Sequence, residues 1–402
     1  MLKVLVVDDS AFVRRSLIRI IEANQDIKVV ASASNGEEAI ARTKEFDPDV
    51  ITMDVEMPRM NGLVAVERIM KEAPCPIIMV SSLTSEGADI TLRALELGAL
   101  DFMPKLNSSS LPDMQRLEAE LGTRIRALAR RKAFMRLKFN RGKDSAPPPR
   151  PGMPARPASP SSLGQAAGAA RPATARPGAA PVPGSAPHTA SLIERATAAV
   201  RPPGYPLGIR PFEAVAIGVS TGGPPAVQKV LSQLPASFPV PVLIAQHMPA
   251  AFTGPFAARL DAQCAIHVKE AEPIERAKNG TVYICPGGKH IRLENRGGTL
   301  TIVVTDDPKD ALYKPSANVL METVGTALGK KALCVMLTGM GNDGFEGTKV
   351  LKAKGGWAIA QDEASCIVYG MPKAIIDANL ADEIVSIDDV AKAIKDHFTG
   401  LN

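Results

Sequence analysis

Two groups of residues in this chain have types and spacings that could do chemistry. The first is centred on Ser220, in the stretch Ile217-Gly218-Val219-Ser220-Thr221-Gly222-Gly223-Pro224. An apolar run there ends in a tight turn flanked by glycines, and a proline opens a helical pattern. Gly218, Ser220 and Gly222 match G-x-S-x-G, in which a sharp strand-to-helix turn exposes a hydroxyl above a sheet. The same turn points free backbone N–H groups at whatever binds. A phosphate-cradling loop and an ordinary solvated turn remain open as readings. The stretch is not G-x-G-x-x-G, however, and no Walker lysine follows.

His247 and Asp343 stand in comparable places. The run Val240–Gln246 ends at His247, and Ala332–Leu337 leads into Thr338-Gly339-Met340-Gly341-Asn342-Asp343-Gly344. A serine, a histidine and an aspartate thus each follow an expected parallel strand, and such strand ends share one rim. An activated serine needs this set: an imidazole takes the hydroxyl proton, and a carboxylate fixes its tautomer. The chain order differs from the Ser, Asp/Glu, His order of α/β-hydrolases, so the pattern does not place the domain in that fold. His267, expected in a strand, His290, expected in a hairpin, and His397, near a fraying end, are rivals to His247, and His188 falls in a tether. Asp306, Asp307 and Asp362 are rivals to Asp343. Taken alone, Asp343 reads better as the N-cap of the helix that follows it.

The second group lies near the N-terminus. Asp8 and Asp9 follow a first apolar run, Asp54 a third, Ser81 and Ser82 a fourth, and Lys105 a fifth. Three carboxylates on one rim repel each other unless a hard cation sits among them, and Mg²⁺ suits carboxylates, waters and a phosphoryl oxygen.

The elements that must position these groups follow from periodicity. Up to Met103, five strand patterns alternate with four helical ones, which predicts a parallel sheet covered on both faces. Leu111 to Asn140 has helical spacing and turns basic through Arg124, Arg126, Arg130, Arg131, Lys132, Arg136 and Lys138. With no recognition motif beside it, that stretch reads as a solvated helix face rather than a nucleic-acid site. Sixteen of the 34 prolines fall between Pro147 and Pro211, so this segment cannot offset its ordering entropy and is expected to be a disordered tether. One or two helical turns are expected at Ser191–Val200. From Phe212 the βα alternation resumes, with a helix at Pro225–Leu234 and a hairpin-rich insertion over Gly280–Thr305.

Bulk properties restrict the class. At 402 residues and 45% hydrophobic content, the chain can bury two cores. Its apolar runs have strand length, so no membrane insertion is expected. The first residues enter a strand directly, unlike a signal peptide. Five scattered cysteines without a C-x-x-C pair indicate reduced thiols and a cytoplasmic setting. A net charge of +5 is too mild to argue for nucleic acid.

With Met53-Asp54-Val55-Glu56-Met57-Pro58, Gly62, Asp8-Asp9 and Lys105, the N-terminal region resembles the receiver domain of two-component response regulators. That resemblance implies Asp54 as phospho-acceptor, with Asp8, Asp9, Asp54 and the Glu56 carbonyl as Mg²⁺ ligands. It implies Ser81 and Lys105 as phosphoryl contacts, and Phe102 as the aromatic that reorients between states. Leu106 stands where receivers usually have proline. The remaining motifs, with Gln246-His247-Met248-Pro249, Gln361–Cys366 and Tyr369-Gly370-Met371-Pro372, resemble the chemotaxis protein-glutamate methylesterase (CheB) family. The family implies Ser220 as nucleophile, His247 as base and then acid, Asp343 as the carboxylate orienting it, and Thr221 and the Met340 N–H at the oxyanion site. Val219 replaces a common alanine and is expected to narrow the pocket, and the tether is longer than usual.

The expected fold is α/β: a flavodoxin-like receiver with a five-stranded parallel doubly wound sheet (1–122), a basic helix and linker (123–209), and a second doubly wound, mostly parallel sheet with a β-hairpin insertion (210–400). The implied function is a phosphorylation-regulated serine hydrolase that demethylates glutamate γ-methyl esters on chemoreceptors, releasing methanol, and deamidates receptor glutamines. Implied partners are a chemotaxis histidine kinase and methyl-accepting chemoreceptors, with no nucleic acid, no cofactor in the catalytic domain and a monomeric state. The alternative is a non-enzymatic regulator whose output domain binds a nucleotide, nucleic acid or partner.

Overall fold

Asp54 closes a strand with every residue buried, β3 (Val50–Asp54), as expected of a parallel strand covered on both faces. The computed structural model describes residues 1–82, 84–105, 111–133, 135–136 and 212–398. The expected tether, its Ser191–Val200 helix, His188, Lys138 and Leu106 lie outside the described residues.

Around β3 stand β1 (Leu2–Val7), β2 (Ile27–Ala33), β4 (Ile77–Ser81) and β5 (Asp101–Pro104). The sheet runs β2-β1-β3-β4-β5, with every pairing parallel. Helices α1 (Ala11–Glu22), α2 (Gly36–Phe46), α3 (Gly62–Glu72), α4 (Ser85–Glu96) and α5 (Leu111–Ala129) cover it. Side-chain caps start four of them: Ser10, Asn35, Asn61 and Thr84 each accept a backbone N–H of the first turn, supplying partners that helix ends otherwise lack. Gly62 is required sterically, because a Cβ there would sit 2.0 Å from the Asp54 carbonyl oxygen.

Helix α5 crosses the boundary expected at residue 122. The basic residues of α5 and of the stretch just after it are also not a freely solvated face. Arg126 pairs with Asp26, Lys132 with Asp47 and Asp49, and Arg136 with Asp47, while Arg124 is drawn inward to Asp101. The receiver's own acids take up this charge.

The second sheet has seven strands: β6 (Ala214–Val219), β7 (Val242–Gln246), β8 (His267–Glu270), β10 (Thr281–Ile284), β13 (Ala332–Met336), β14 (Trp357–Gln361) and β15 (Glu383–Val385). Its order is β15-β14-β13-β6-β7-β10-β8, and all six pairings are parallel. The expected insertion therefore begins too early at Gly280, since β10 belongs to this sheet. The antiparallel part is a separate three-stranded sheet, in which β12 (Thr299–Thr305) lies between β11 (His290–Arg296) and β9 (Ile274–Arg276). Among the described residues, six α-helices accompany this sheet: α6 (Gly223–Leu231), α7 (Ala250–Gln263), α8 (Ala317–Leu328), α9 (Phe345–Ala353), α10 (Met371–Asp377) and α11 (Val390–Lys395).

The two faces of this sheet are chemically distinct. One presents Val215, Ile217, Val242, Ile244, Val335 and Ile359 to α6, α7 and α11. The other presents Ala214, Ala216, Ala245, Ala358 and Ala360, which lets α8 pack close to the strands. Chain order reverses between β6 and β13, where open α/β sheets form their crevice.

The apolar core does not stop at the receiver boundary. Leu92, Leu95 and Phe102 belong to the same buried cluster as Phe252, Phe256 and Leu260. Arg259 adds an ion pair to Glu96, with Nε 2.6 Å from Oε1.

Candidate active site

Ser220 follows β6, His247 follows β7 and Asp343 follows β13, so the crevice at the order reversal collects all three. The Ser220 hydroxyl lies 3.1 Å from His247 Nδ1, and His247 Nε2 lies 2.7 Å from Asp343 Oδ2. With Nε2–H donating to the carboxylate, Nδ1 carries a lone pair facing the hydroxyl. That is the tautomer a general base requires.

Asp343 caps a helix, but not the one that follows it. Its Oδ1 accepts from the Ser316 hydroxyl (2.9 Å) and the Asn318 N–H (3.1 Å), and its Oδ2 from the Ala317 N–H (2.6 Å). Helix α8 begins there, so its positive end faces the carboxylate. Burial pushes the Asp343 carboxyl up, but bonds from His247, Ala317 and Asn318 outweigh it and hold it below the usual carboxylate range. The carboxylate thus stays charged beside the imidazole.

Strand ends and tight contacts hold the turn at Ser220. Ser220 N–H donates to Thr338 O at 3.0 Å, and the Thr338 hydroxyl donates to Thr221 O at 2.9 Å. Gln246 Nε2 donates to Ser220 O at 3.0 Å. Gly222 has φ +75°, the left-handed region that favours glycine, and a Cβ on Gly223 would meet Gln246 Oε1 at 2.0 Å. Among the described residues, the backbone N–H groups of Thr221 and Met340 make no hydrogen bond, leaving both available at the expected oxyanion site. The loop bearing Met340 is tied to the 361–371 segment: Gln361 Oε1 accepts from Thr338 N–H at 2.8 Å, and Gly339 O accepts from Met371 N–H at 2.9 Å.

Val219 does not narrow the pocket. It is fully buried in the core beneath the turn, as strand alternation dictates. The histidine rivals have other partners. His267 bonds Asp261, His290 bonds the Pro308 carbonyl, and His397 is buried against Glu383 rather than fraying. Asp306 pairs with Lys289, and Asp362 accepts from Ser365.

The cleft above Ser220 has a volume of about 280 Å³, and one of its walls comes from the receiver. Asp101, Phe102, Glu120 and Arg124 face Ser220, Thr221, His247 and Tyr313 across it. The Thr221 hydroxyl donates to Asp101 Oδ2 at 3.3 Å, which Arg124 also holds at 2.8 Å. Periodicity gave no sign of Asp101 as a site residue. Its position at the start of a strand points away from the rim where ligands are sought.

In the receiver, Asp8, Asp9 and Asp54 bring their carboxylate oxygens within 4.8 Å of one another. Lys105 Nζ lies 2.8 Å from Asp54 Oδ2 and 3.8 Å from Asp8 Oδ2. Burial raises Asp54 to about 6 against the opposing bond from Lys105, and burial likewise raises Asp8. Asp8 Oδ2 is buried without a hydrogen-bond partner, so a hard cation fits the donor set. The Ser81 hydroxyl is turned toward the start of α4 and bonds the Gly87 carbonyl at 3.2 Å. Four of the five cysteines are buried and all are unpaired. Among the described residues, no helix is long and apolar enough to cross a membrane.

Comparison with known proteins agrees with both halves. Residues 215–394 match the model of the CheB methylesterase family, and residues 4–114 that of the response regulator receiver domain. The chain is 55% identical over 394 residues to a protein-glutamate methylesterase/protein-glutamine glutaminase of Nitratidesulfovibrio vulgaris, covering 98% of each chain. It is 53% identical, with the same coverage, to one of Oleidesulfovibrio alaskensis. A solved CheB methylesterase catalytic domain from Thermotoga maritima is 36% identical and aligns with 46% of this chain and 97% of its own, at a TM-score of 0.45. With both domain models matched and relatives this similar along 98% of its length, the chain belongs to the protein-glutamate methylesterase/protein-glutamine glutaminase family, in which a receiver is joined to a CheB methylesterase domain.

Proposed function

We propose that Ser220, His247 and Asp343 carry out the hydrolysis by which this enzyme demethylates receptor glutamates and deamidates receptor glutamines in chemotaxis, and that the receiver controls access to them. The single observation behind this reading is the continuous hydrogen-bonded line from the Ser220 hydroxyl through the imidazole to Asp343. His247 Nδ1 accepts the hydroxyl proton as Oγ attacks the γ-carbonyl. The oxyanion lies against the Thr221 and Met340 N–H groups. The proton then passes to the leaving methoxy oxygen, giving methanol, or to the amide nitrogen, giving ammonia, and water, deprotonated by the same nitrogen, releases the glutamate. Asp343 stays ionised and holds the ring.

A receiver domain takes its phosphoryl group from a histidine kinase and uses Mg²⁺ to do so. Here Asp8, Asp9, Asp54 and the Glu56 carbonyl would hold the ion. When bound, it neutralises the charge gathering on the phosphoryl group at Asp54. Lys105 would contact that group, as would Ser81 once its hydroxyl turns from Gly87. Phosphorylation of Asp54 frees Phe102 and the wall it builds over the cleft. The enzyme works as a cytoplasmic monomer on the cytoplasmic helices of chemoreceptors. The test is methanol release from methylated receptor, with and without phosphodonor, by wild type and Ser220→Ala. Loss of the nucleophile lowers turnover on the order of 10⁶-fold. Retained release by that variant refutes the assignment.

A further inference from the structure

The rings of His247 and Tyr313 lie parallel, with centroids 4.4 Å apart and an interplanar angle of 10°. Tyr313 sits on the strap that joins β12 to α8. The strap is fastened along its length. Gly288 N–H donates to Lys314 O at 3.1 Å, Arg292 to Asp307 O at 3.1 Å, and Lys289 pairs with Asp306 at 2.7 Å. Behind it stands the buried His290, whose Nδ1 accepts from the Ser316 N–H at 3.3 Å and whose Nε2 donates to the Pro308 carbonyl at 3.2 Å. The strap ends at Ser316 and Ala317, which bind Asp343. One short segment therefore fixes the edge of the imidazole through Asp343 and covers its face with an aromatic ring.

Resting on the triad reading above, we propose that Tyr313 is a positioning residue for His247, whose ring face stabilises the imidazolium formed when Ser220 gives up its proton. The step is balanced on the atoms present: the Oγ–H bond breaks, Nδ1–H forms, and the positive charge spreads over a ring whose Nε2–H already bonds Asp343. An aromatic face attracts a cation within about 6 Å of its centroid and a neutral ring much less. The contact is therefore stronger in the transition state than in the resting enzyme, which is what accelerates a step. The stack also opposes rotation of the imidazole away from Ser220.

The experiment uses the full chain with Mg²⁺ and saturating phosphodonor, so that the receiver wall is equally withdrawn in every variant. Tyr313→Phe keeps the ring face and is expected to hold kcat within about two-fold of wild type. Tyr313→Leu keeps apolar cover without the π face. It is expected to lower kcat about ten-fold with KM nearly unchanged, and to move the acid limb of kcat/KM down by about half a pH unit. The other charged groups around the imidazole are Asp343, Lys314 on the strap, and Asp101, Glu120 and Arg124 across the cleft. All are unchanged in these variants, so the shift reads the ring. If Tyr313→Leu does not fold, Tyr313→Met supplies the same contrast. Wild-type kcat and acid limb in either variant overturn the proposal, as does a Tyr313→Phe loss equal to that of Tyr313→Leu. Labelling of Ser220 by a serine-reactive phosphonate separates this result from the triad itself. An unlabelled wild-type chain refutes the triad and the proposal together, whereas unchanged kinetics in a labelled variant overturn the role of Tyr313 alone.

Discussion

The ring of Phe102, in the last strand of the receiver, stacks on the ring of Phe252, in the first turn of α7, with centroids 4.6 Å apart and planes inclined by 27°. The strand and helix they belong to lead directly to the two chemical centres. Phe102 is three residues from Lys105, which bonds Asp54, and Phe252 is five from His247. A change of phosphorylation state that turns Phe102 breaks a buried contact in the shared core. An aromatic pair contributes about 0.5–1.5 kcal/mol beyond its buried area. Phe102→Ala is therefore expected to raise methanol release without phosphodonor by about two- to ten-fold, with the phosphorylated rate much less affected. Initial rates under both conditions check this, and an unchanged unphosphorylated rate counts against the stack as a latch.

The Arg259–Glu96 pair is a second tie across the same interface, with Gln263 also donating to Glu96 at 3.0 Å. Bonds from Arg259 and Gln263 draw the Glu96 carboxyl below its usual range. Arg259→Glu places three carboxylates together, since Asp89 lies 3.5 Å from Arg259. It should raise the unphosphorylated rate by a few-fold, in keeping with about 1 kcal/mol for a partly exposed pair. Adding Glu96→Arg should restore repression. A double variant as active as the single one would show that the gain came from damage elsewhere.

Asp343 sets an expectation for pH. Its carboxyl is held below the usual range in the folded protein, so the stability it supplies is fully present above the unfolded value of 3.8 and disappears as pH falls through its folded value. It remains a carboxylate across the working range. Asp343→Asn should lower kcat about 10⁴-fold by spoiling the His247 tautomer. It should also flatten the loss of thermal stability below about pH 4 relative to wild type. Melts at stepped pH and single-turnover rates test the two parts separately.

Gly223 offers a steric test of the nucleophile turn. A methyl group there meets Gln246 Oε1 and, at 2.8 Å, Val219, so Gly223→Ala must displace the amide that holds the Ser220 carbonyl. Activity is expected to fall by at least about 100-fold, the scale of a misplaced catalytic group, while phosphate uptake at Asp54 is unaffected. Wild-type turnover in this variant would mean that the turn tolerates movement.

Much of this protein was written in residue order alone. Alternating apolar runs specify two parallel sheets, because a strand buried on both faces must be apolar throughout. Their carboxyl ends carry the residues that the fold then gathers: Asp8, Asp9, Asp54 and Lys105 in one domain, Ser220, His247 and Asp343 in the other. Local spacing failed where contacts come from distant chain. It could not show that Asp343 caps the helix before it rather than the one after, nor that Val219 points into the core. It gave no hint that Arg124 and Arg126 of α5 pair with receiver acids, or that Asp101 reaches Thr221. The stack of Tyr313 on His247 was equally invisible, since the 65 intervening positions carry no pattern that joins them. Strand and helix periods are properties of neighbouring residues, and a motif is read from them. The wall over the cleft and the ring over the imidazole arise only when two sheets and a strap pack against each other, and that packing is fixed by shape and charge across the whole tertiary fold.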